Sequence, residues 1–407
     1  MIRSVLILSP EPPYPLHGGG PFRIASLIHY FARFAAVDLI LISESGRPAL
    51  LPPGLVRKQT VIPLPVHDKG VLARYTRNAR RALLGVPPLI DRLSGLGGAI
   101  TRAIGRQKYD LGLIEHFWCA PYIDELGSAC RQTVLDLHNI ESVLHERCAL
   151  LDHGPIAAAH RRFSRTSAKI EGALLPRFSE VLATSQCDAD TIARNVPGCQ
   201  VAVYPNALPW VNQPQVNQPH SSDQTNVVFS GNFEYHPNID AVRFLTAEIW
   251  PEVNRRHPEL RLRLVGRGDS FVRDLLPSGL NIEVTGPVPD AFAEIAKAKV
   301  VLAPLRAGSG TRIKILEAWA AARPVIATPL AAEGLLAQDR RNILFADDAA
   351  GFADAIDMVL LNPIEGERLG ALGRQSYTEH YTWDVAWRAL DGILQPSSVG
   401  RADRYTG

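Results

Sequence analysis

No stretch of this sequence approaches the ~20 consecutive apolar residues that a membrane-spanning helix requires. Its apolar runs, such as Val5–Leu8 and Val300–Leu305, are a few residues long. No Cys-x-x-Cys pair occurs among the five cysteines (Cys119, Cys130, Cys148, Cys187, Cys199), and the odd count indicates neither a disulfide framework nor a zinc site. The apolar stretch in MIRSVLILSPEPPYP is too short for a signal peptide, with Glu11 and prolines directly behind it, so a cytoplasmic location is expected. No Gly-x-Gly-x-x-Gly follows a strand candidate, which argues against a nicotinamide enzyme. VGRGD (265–269) is too short for that fingerprint, and GRGDS (266–270) contains an adhesion-like tripeptide by chance. No repeat of 20–50 residues is visible, and no basic–aromatic interleaving points to nucleic acid.

What is present is a globular composition: 407 residues, 46% hydrophobic and 21% charged. That excludes a disordered or collagen-like chain and suggests two or three domains. The net charge of +2 is unevenly spread. Residues 1–222 hold 23 Lys+Arg against 17 Asp+Glu, a net of +6, and residues 223–407 hold 20 against 24, a net of −4. The two halves are expected to meet different partners.

Strand candidates 3–9, 37–43, 110–116, 132–138, 180–185 and 200–206 alternate with helical stretches, one of them near 22–35. Alternation of short buried runs with helices implies a parallel, doubly wound sheet. A second series follows at 226–232, 260–266, 281–286, 299–305, 324–329 and 342–346, then helical segments at 349–361, 364–380 and 382–395. The fold class is therefore α/β, with two Rossmann-like doubly wound domains facing across a cleft. The expected divisions are 1–208 (acceptor side), a Pro/Asn/Gln-rich linker 209–226, 227–380 (nucleotide-sugar side), a returning helix 381–395 and a tail 396–407. Ligands of such sheets bind beyond the carboxyl ends of the strands, so chemistry belongs on the loops there.

The richest such loop is LAPLRAGSGTRIKILEAWAAARPVIATP (302–329). Gly308 and Gly310 allow a tight turn and close approach to a ligand. Thr311 is the expected N-cap of a helix from about Arg312 to Ala322. A helix N-terminus favours phosphate, and Arg312 and Lys314 add positive charge. Lys314 and Glu317, at i and i+3, share a face, suiting a phosphate and a ribose diol; the ordinary alternative is a surface ion pair.

Gly-rich loop, Lys, Glu, small-residue helix and PVIAT together resemble the carboxyl-terminal domain of GT-B retaining glycosyltransferases, family 4 in particular. GGG (18–20), VYPNALP (203–209), VVFSGNFEYHPNIDAVRFL (227–245), LRLVGRGD (262–269) and YTWDVAWRAL (381–390) extend the resemblance over nearly the whole chain. It implies transfer of a sugar from a nucleotide diphosphate sugar to a glycan or lipid-linked acceptor, with retention and no metal or other cofactor. Polysaccharide biosynthesis is the implied setting. The second Glu of the family's Glu-x₇-Glu motif, which binds donor ribose, falls on Glu317; the first falls on Ser309. No Lys or Arg lies between Gly231 and Arg243, where the family holds the diphosphate with cations; Asn232 and His236 stand there instead. Arg312 and Lys314 are expected to supply that charge. His138, in DLHNIES, matches a family His near the donor sugar, giving His138, Lys314 and Glu317 as candidate catalytic residues. Gly231, Asn232, Gly308, Ser309, Gly310, Thr311, Arg312 and Glu333 complete the donor set, with Gly334 beside it. Gly18, Gly19, Gly20 and His116 form the acceptor and phosphate loop.

His138, His145, His153 and His160 recur every seven or eight residues, but with loops between them they are expected to be solvated or separately satisfied, with no metal. The basic stretch 72–85, with Arg92, Arg102, Arg106 and Lys108 beyond, suits weak peripheral contact with anionic lipid on the inner membrane face; a solvated helical face is the alternative. Two other functions remain open on these residues: a nucleotide-sugar epimerase of the same fold, and a noncatalytic sugar-nucleotide-binding protein, to which Ser309 lends support. Turnover with an acceptor separates them.

Overall fold

The computed structural model describes residues 2–66, 70–209 and 225–394. Most of the linker 209–226 and the tail 396–407 therefore lie outside the described residues.

The first sheet has seven parallel strands in the order β3-β2-β1-β4-β5-β6-β7. They are β1 (Ser4–Ser9), β2 (Ala36–Ser43), β3 (Lys58–Pro63), β4 (Tyr109–Glu115), β5 (Cys130–Asp136), β6 (Glu180–Ala183) and β7 (Val201–Val203). The second has six, ordered β10-β9-β8-β11-β12-β13: β8 (Asn226–Ser230), β9 (Arg261–Val265), β10 (Ile282–Gly286), β11 (Val300–Ala303), β12 (Val325–Ala327) and β13 (Leu344–Phe345). Central strands are buried on both faces, hence their unbroken apolar runs. Along β1, Leu6 and Leu8 enter one core layer while Val5 and Ile7 enter the opposite one, as the two-residue strand period requires. Strand β3 was not expected from the sequence. It is an edge strand in which only Ile62 is buried, so KQTVIP carries no apolar run.

The helices that position the site are α1 (Gly19–Ala32), α2 (Val71–Leu84), α3 (Glu141–Leu151), α4 (Gly154–Leu174), α5 (Gln186–Asn195), α6 (His236–Phe244), α7 (Ile313–Ala320), α8 (Ala349–Leu361), α9 (Pro363–His380) and α10 (Trp383–Leu394). Helix α10 returns to the first domain. Its Trp383, Ala386 and Leu390 join the core layer of Val5 and Ile7, and Trp387 Nε1 donates to Ser26 Oγ at 3.0 Å.

Strand order reverses between β1 and β4 in one sheet and between β8 and β11 in the other. Such reversals open a crevice at the carboxyl edge. The loops after β1, β4, β8 and β11 carry most of the candidate residues, and the two crevices face each other. Across the cleft, Ile140 N donates to Ser309 Oγ at 3.0 Å, and Asn206 Nδ2 donates to Thr311 O at 3.4 Å.

Candidate active site

On the first domain the strand ends gather a buried charged cluster. Arg23, from α1, donates to both Asp136 oxygens at 2.7 and 2.5 Å and to Tyr204 O and Asn206 Oδ1. His138 Nε2 lies 3.0 Å from Glu115 Oε2 and 3.3 Å from Asp136 Oδ2. The His138 ring stacks on His116, centroids 3.5 Å apart, and His116 stacks on Trp118 at 4.2 Å. Burial and His116 bring the His138 imidazole down to about 4, although Asp136 pulls the other way. Burial and neighbouring Asp136 raise Glu115 well above the carboxylate range. Burial also works against charge on Asp136, but the Arg23 guanidinium outweighs it and holds the carboxyl low. The cluster thus keeps one anion, one guanidinium and a neutral imidazole at the cleft wall. Glu115, Asp136 and His138 stand close enough to share a cation, but Arg23 already occupies both oxygens of Asp136.

His116 has φ 64, and its Nε2 is buried without a hydrogen-bond partner, 3.6 Å from Glu11 Oε2. Gly18 precedes α1 with φ 85, and Gly19 and Gly20 are already its first turn. GGG is therefore the N-terminus of α1, which begins earlier than the expected 22. Gly19 faces the second domain: a Cβ there would stand 3.1 Å from Ile313 Cγ1.

On the second domain, Lys314 turns under the loop after β8. Its Nζ donates to Asn238 Oδ1 at 2.9 Å and lies 3.9 Å from the Phe229 ring centre. A Cβ on Gly231 would stand 3.2 Å from that Nζ. A cation from α7 thus stands against the loop that carries none of its own in sequence. Burial, reinforced by Arg312, brings the Lys314 ammonium down to about 7. Burial raises Glu317 to about 7 against the pull of Lys314. Asn232 Oδ1 accepts from Glu234 N at 3.0 Å, and its carbonyl accepts from Asn238 Nδ2, so this residue shapes the loop.

One expectation for the Gly loop is corrected. Thr311 is not the N-cap: Arg312 holds that position, and the Thr311 hydroxyl donates to Thr184 O across the cleft. Arg312 curls back and donates to the carbonyls of Ser309 and Gly310, leaving Nη2 buried and unpartnered. Glu333 is taken up by Arg147 of α3, whose nitrogens donate to it at 2.6 and 2.9 Å and to Gly308 O at 2.8 Å. Loop 308–311 rests on loop 138–140, so Gly308, Ser309 and Gly310 are domain contacts as well as donor candidates. Arg23, Glu11, Glu115, Asp136, Arg147 and Asn238 escaped the sequence reading as site residues. Glu115 and Asp136 sit at the same strand ends as the histidines, and that position is the signal that could have found them.

Residues 224–362 match the family described as Glycosyl transferases group 1. A phosphatidyl-myo-inositol mannosyltransferase of Mycobacterium leprae is 33% identical over 141 residues, which cover 33% of this chain and 37% of that protein. Sucrose-phosphate synthase from Thermosynechococcus elongatus superposes with a TM-score of 0.73 at 17% identity, over 97% of this chain and 98% of that one. HepE of Anabaena, solved in complex with UDP-glucose, gives 0.67 at 15% identity, over 96% and 99%. The sheet topology and these superpositions place the chain in the GT-B class of folds. Within that class its second domain, over residues 224–362, is a Glycosyl transferases group 1 domain.

Proposed function

We propose that the protein moves a sugar from a nucleoside diphosphate sugar on the second domain to an acceptor on the first, with retention of configuration and no divalent cation in the chemistry. The observation that carries this reading is Lys314 Nζ at the backbone of Gly231, with Glu317 one turn further along α7. Breaking the anomeric carbon–oxygen bond leaves a nucleoside diphosphate, and preorganised cations and N–H donors stabilise that developing charge. Lys314 takes the diphosphate, Arg312 turns out from its own loop carbonyls to join it, and Glu317 takes the ribose diol. Gly231 and Gly310 offer close backbone approach, and His138 faces the sugar from the opposite domain as a neutral imidazole. HepE has been solved with UDP-glucose, and the trehalose-6-phosphate protein of Escherichia coli with UDP-2-fluoro glucose; both support a nucleotide-sugar donor.

The acceptor belongs near the carboxyl end of β2, where a cavity of about 500 Å³ is lined by Pro12, Tyr14, Leu41, Ser43 and Arg47. A glycan or lipid-linked acceptor fits this reading, as does a cytoplasmic protein resting on the inner membrane face. Among the described residues no helix is long and apolar enough to cross a membrane.

The test is a thermal-shift panel of UDP, GDP, ADP, TDP and CMP sugars with no Mg²⁺ or Mn²⁺ added, followed by transfer assays. A ligand at 100 times its Kd adds about 2.7 kcal/mol, so the true donor class should stand out. If no nucleotide sugar stabilises the protein, the donor assignment fails; if stabilisation needs added Mg²⁺ or Mn²⁺, the metal-free chemistry fails.

A further inference from the structure

The geometry points to a zinc(II) site that ties the first domain to the second, built from Cys148, Asp152 and His160 of the α3–α4 hairpin and His236 at the start of α6. The thiol and the two imidazoles each offer a ligand atom within 4.8 Å of the others. Around a tetrahedral zinc with bonds of about 2.0–2.3 Å, ligand atoms stand about 3.3–3.7 Å apart, so closing the site needs shifts of about 1 Å. Asp152 borders the two imidazoles rather than the thiol, and turns inward to become the fourth donor when the ion binds. Its Oδ2 lies 3.1 Å from His236 Nε2 and 3.4 Å from His160 Nε2. That oxygen is buried and makes no hydrogen bond, while Oδ1 of the same carboxylate hydrogen-bonds His236 Nε2 at 3.2 Å.

The surroundings fit the same assignment. His160 Nδ1 is engaged by His145 Nδ1 at 3.0 Å, which leaves Nε2 of His160 facing Asp152. His145 Nε2 in turn faces Glu141 Oε2 at 4.0 Å. Outer partners of this kind fix the tautomer and orientation of a ligating histidine. Cys148 packs with Leu144 and Ala307, and Tyr235 covers them, so the thiolate side is dry and spans both domains. His236 is a third exposed and provides the entry path. A thiolate, two imidazoles and one carboxylate suit zinc rather than Mg²⁺ or Ca²⁺, which take oxygen ligands. With Asp152 turned inward, four protein donors close the coordination sphere, so the ion is structural. On binding, the Cys148 proton leaves to solvent. His138 lies in the other cluster and His153 is exposed, so the seven-residue histidine spacing conceals the site: one of its ligands comes from the other domain. The consequence is that zinc would pin the loop Gly231–Tyr235 to the α3–α4 hairpin and hold the cleft closed. This site stands on its own geometry and does not depend on the donor assignment.

The experiment uses the full-length, tag-free chain, stripped with a chelator, then titrated with Zn²⁺ and, as a spectroscopic probe, Co²⁺. One equivalent should bind per chain, with Co²⁺ giving tetrahedral d–d bands and a thiolate charge-transfer band. Cys148→Ser should abolish the charge-transfer band. His236→Gln should weaken binding by more than the 10–100-fold typical of losing an outer partner. Small-angle scattering should show a more compact chain with Zn²⁺ than without. If Cys148→Ser fails to fold, His236→Gln, on the other domain and partly exposed, decides. Failure to bind a stoichiometric ion overturns the site. Binding that His236→Gln leaves unchanged overturns the bridge between domains.

Discussion

Lys314 Nζ is buried among Asn238, Phe229 and the Gly231 backbone, where a charge is costly unless a partner compensates it. A diphosphate is such a partner, and charge-assisted hydrogen bonds contribute about 1.5–3 kcal/mol. Lys314→Ala should therefore slow transfer about 10- to 150-fold and weaken nucleoside diphosphate binding, yet leave binding of a phosphate-free nucleoside nearly unchanged. Glu317→Ala should weaken both, because its contact is to ribose. Calorimetric titration of nucleoside and nucleoside diphosphate against each variant separates the two roles. Parental affinities and turnover in both would remove these residues from the site, and simple melting of both would make them a stabilising pair. His138 yields a prediction of opposite character. Burial lowers its folded-state value to about 4, whereas in the unfolded chain it titrates near 6.5. The unfolded state thus binds more protons between these values, and stability falls as pH drops from about 6.5 towards 4. At pH 5 the loss from this group is about 2 kcal/mol. Denaturant titrations at pH 7 and pH 5 should show His138→Gln losing less stability over that interval than the parent; an equal loss would contradict a buried, neutral His138.

At the scale of elements, the close contacts are between loops, and two glycines make opposite predictions. Gly310 has φ +74, and a Cβ there would lie 2.3 Å from His138 O in the facing domain. Gly266 has φ +146, and its Cβ would lie 1.8 Å from Gly231 O inside the second domain. Strain of this kind costs about 1–3 kcal/mol. Gly310→Ala can relieve the contact, though not the backbone strain, by letting the domains part, so it should reduce donor affinity with a smaller fall in melting temperature than Gly266→Ala. Gly266→Ala has no hinge to yield, so it should lower the melting temperature more and leave the closure contact intact. Melting curves and donor titrations on the pair check this, and matching behaviour would mean that loop 308–311 is not a closure contact. The alternation of buried runs with helices made both parallel sheets legible, as did the strand-end positions of His138 and His116. β3 was not, because an edge strand lacks the apolar signature. Nor were Arg23 against Asp136, Ser309 against Ile140 or Arg147 against Glu333. Those contacts join residues more than a hundred positions apart, and no local pattern encodes them. The helix start was displaced from Thr311 because its hydroxyl is claimed by Thr184 O. Long-range competition of this sort overrides capping preference.

At the scale of the whole molecule, two oppositely charged halves are held together by α10, by the Arg147–Glu333 pair and by the loop contacts across the cleft. The first half carries the net +6, and within it α2 leaves Leu72, Leu83 and Leu84 exposed beside Arg80. Part of the surrounding charge is already spent: Arg81 and, at 3.5 Å, Arg80 pair with Asp91, and Arg92 with Glu44. The Arg80 guanidinium is still mostly exposed, so the apolar ridge is flanked by a cation that headgroups can reach, the arrangement that lets a helix lie on an anionic surface. Each surface cation contributes about 1 kcal/mol to such contact, and screening removes it as the Debye length shrinks from about 10 Å at 0.1 M salt to 3 Å at 1 M. The protein should therefore sediment with phosphatidylserine-containing vesicles at low salt and remain in the supernatant at high salt. Arg80→Ala should weaken the partition about fivefold, and Leu83→Asp should weaken it further at every salt concentration because it removes apolar burial rather than charge. Neutral vesicles should not capture the protein under any of these conditions. Absence of sedimentation with anionic vesicles at low salt would dissociate α2 from membranes and point to a soluble acceptor. Sedimentation that survives high salt and Leu83→Asp alike would place the contact on another face of the molecule.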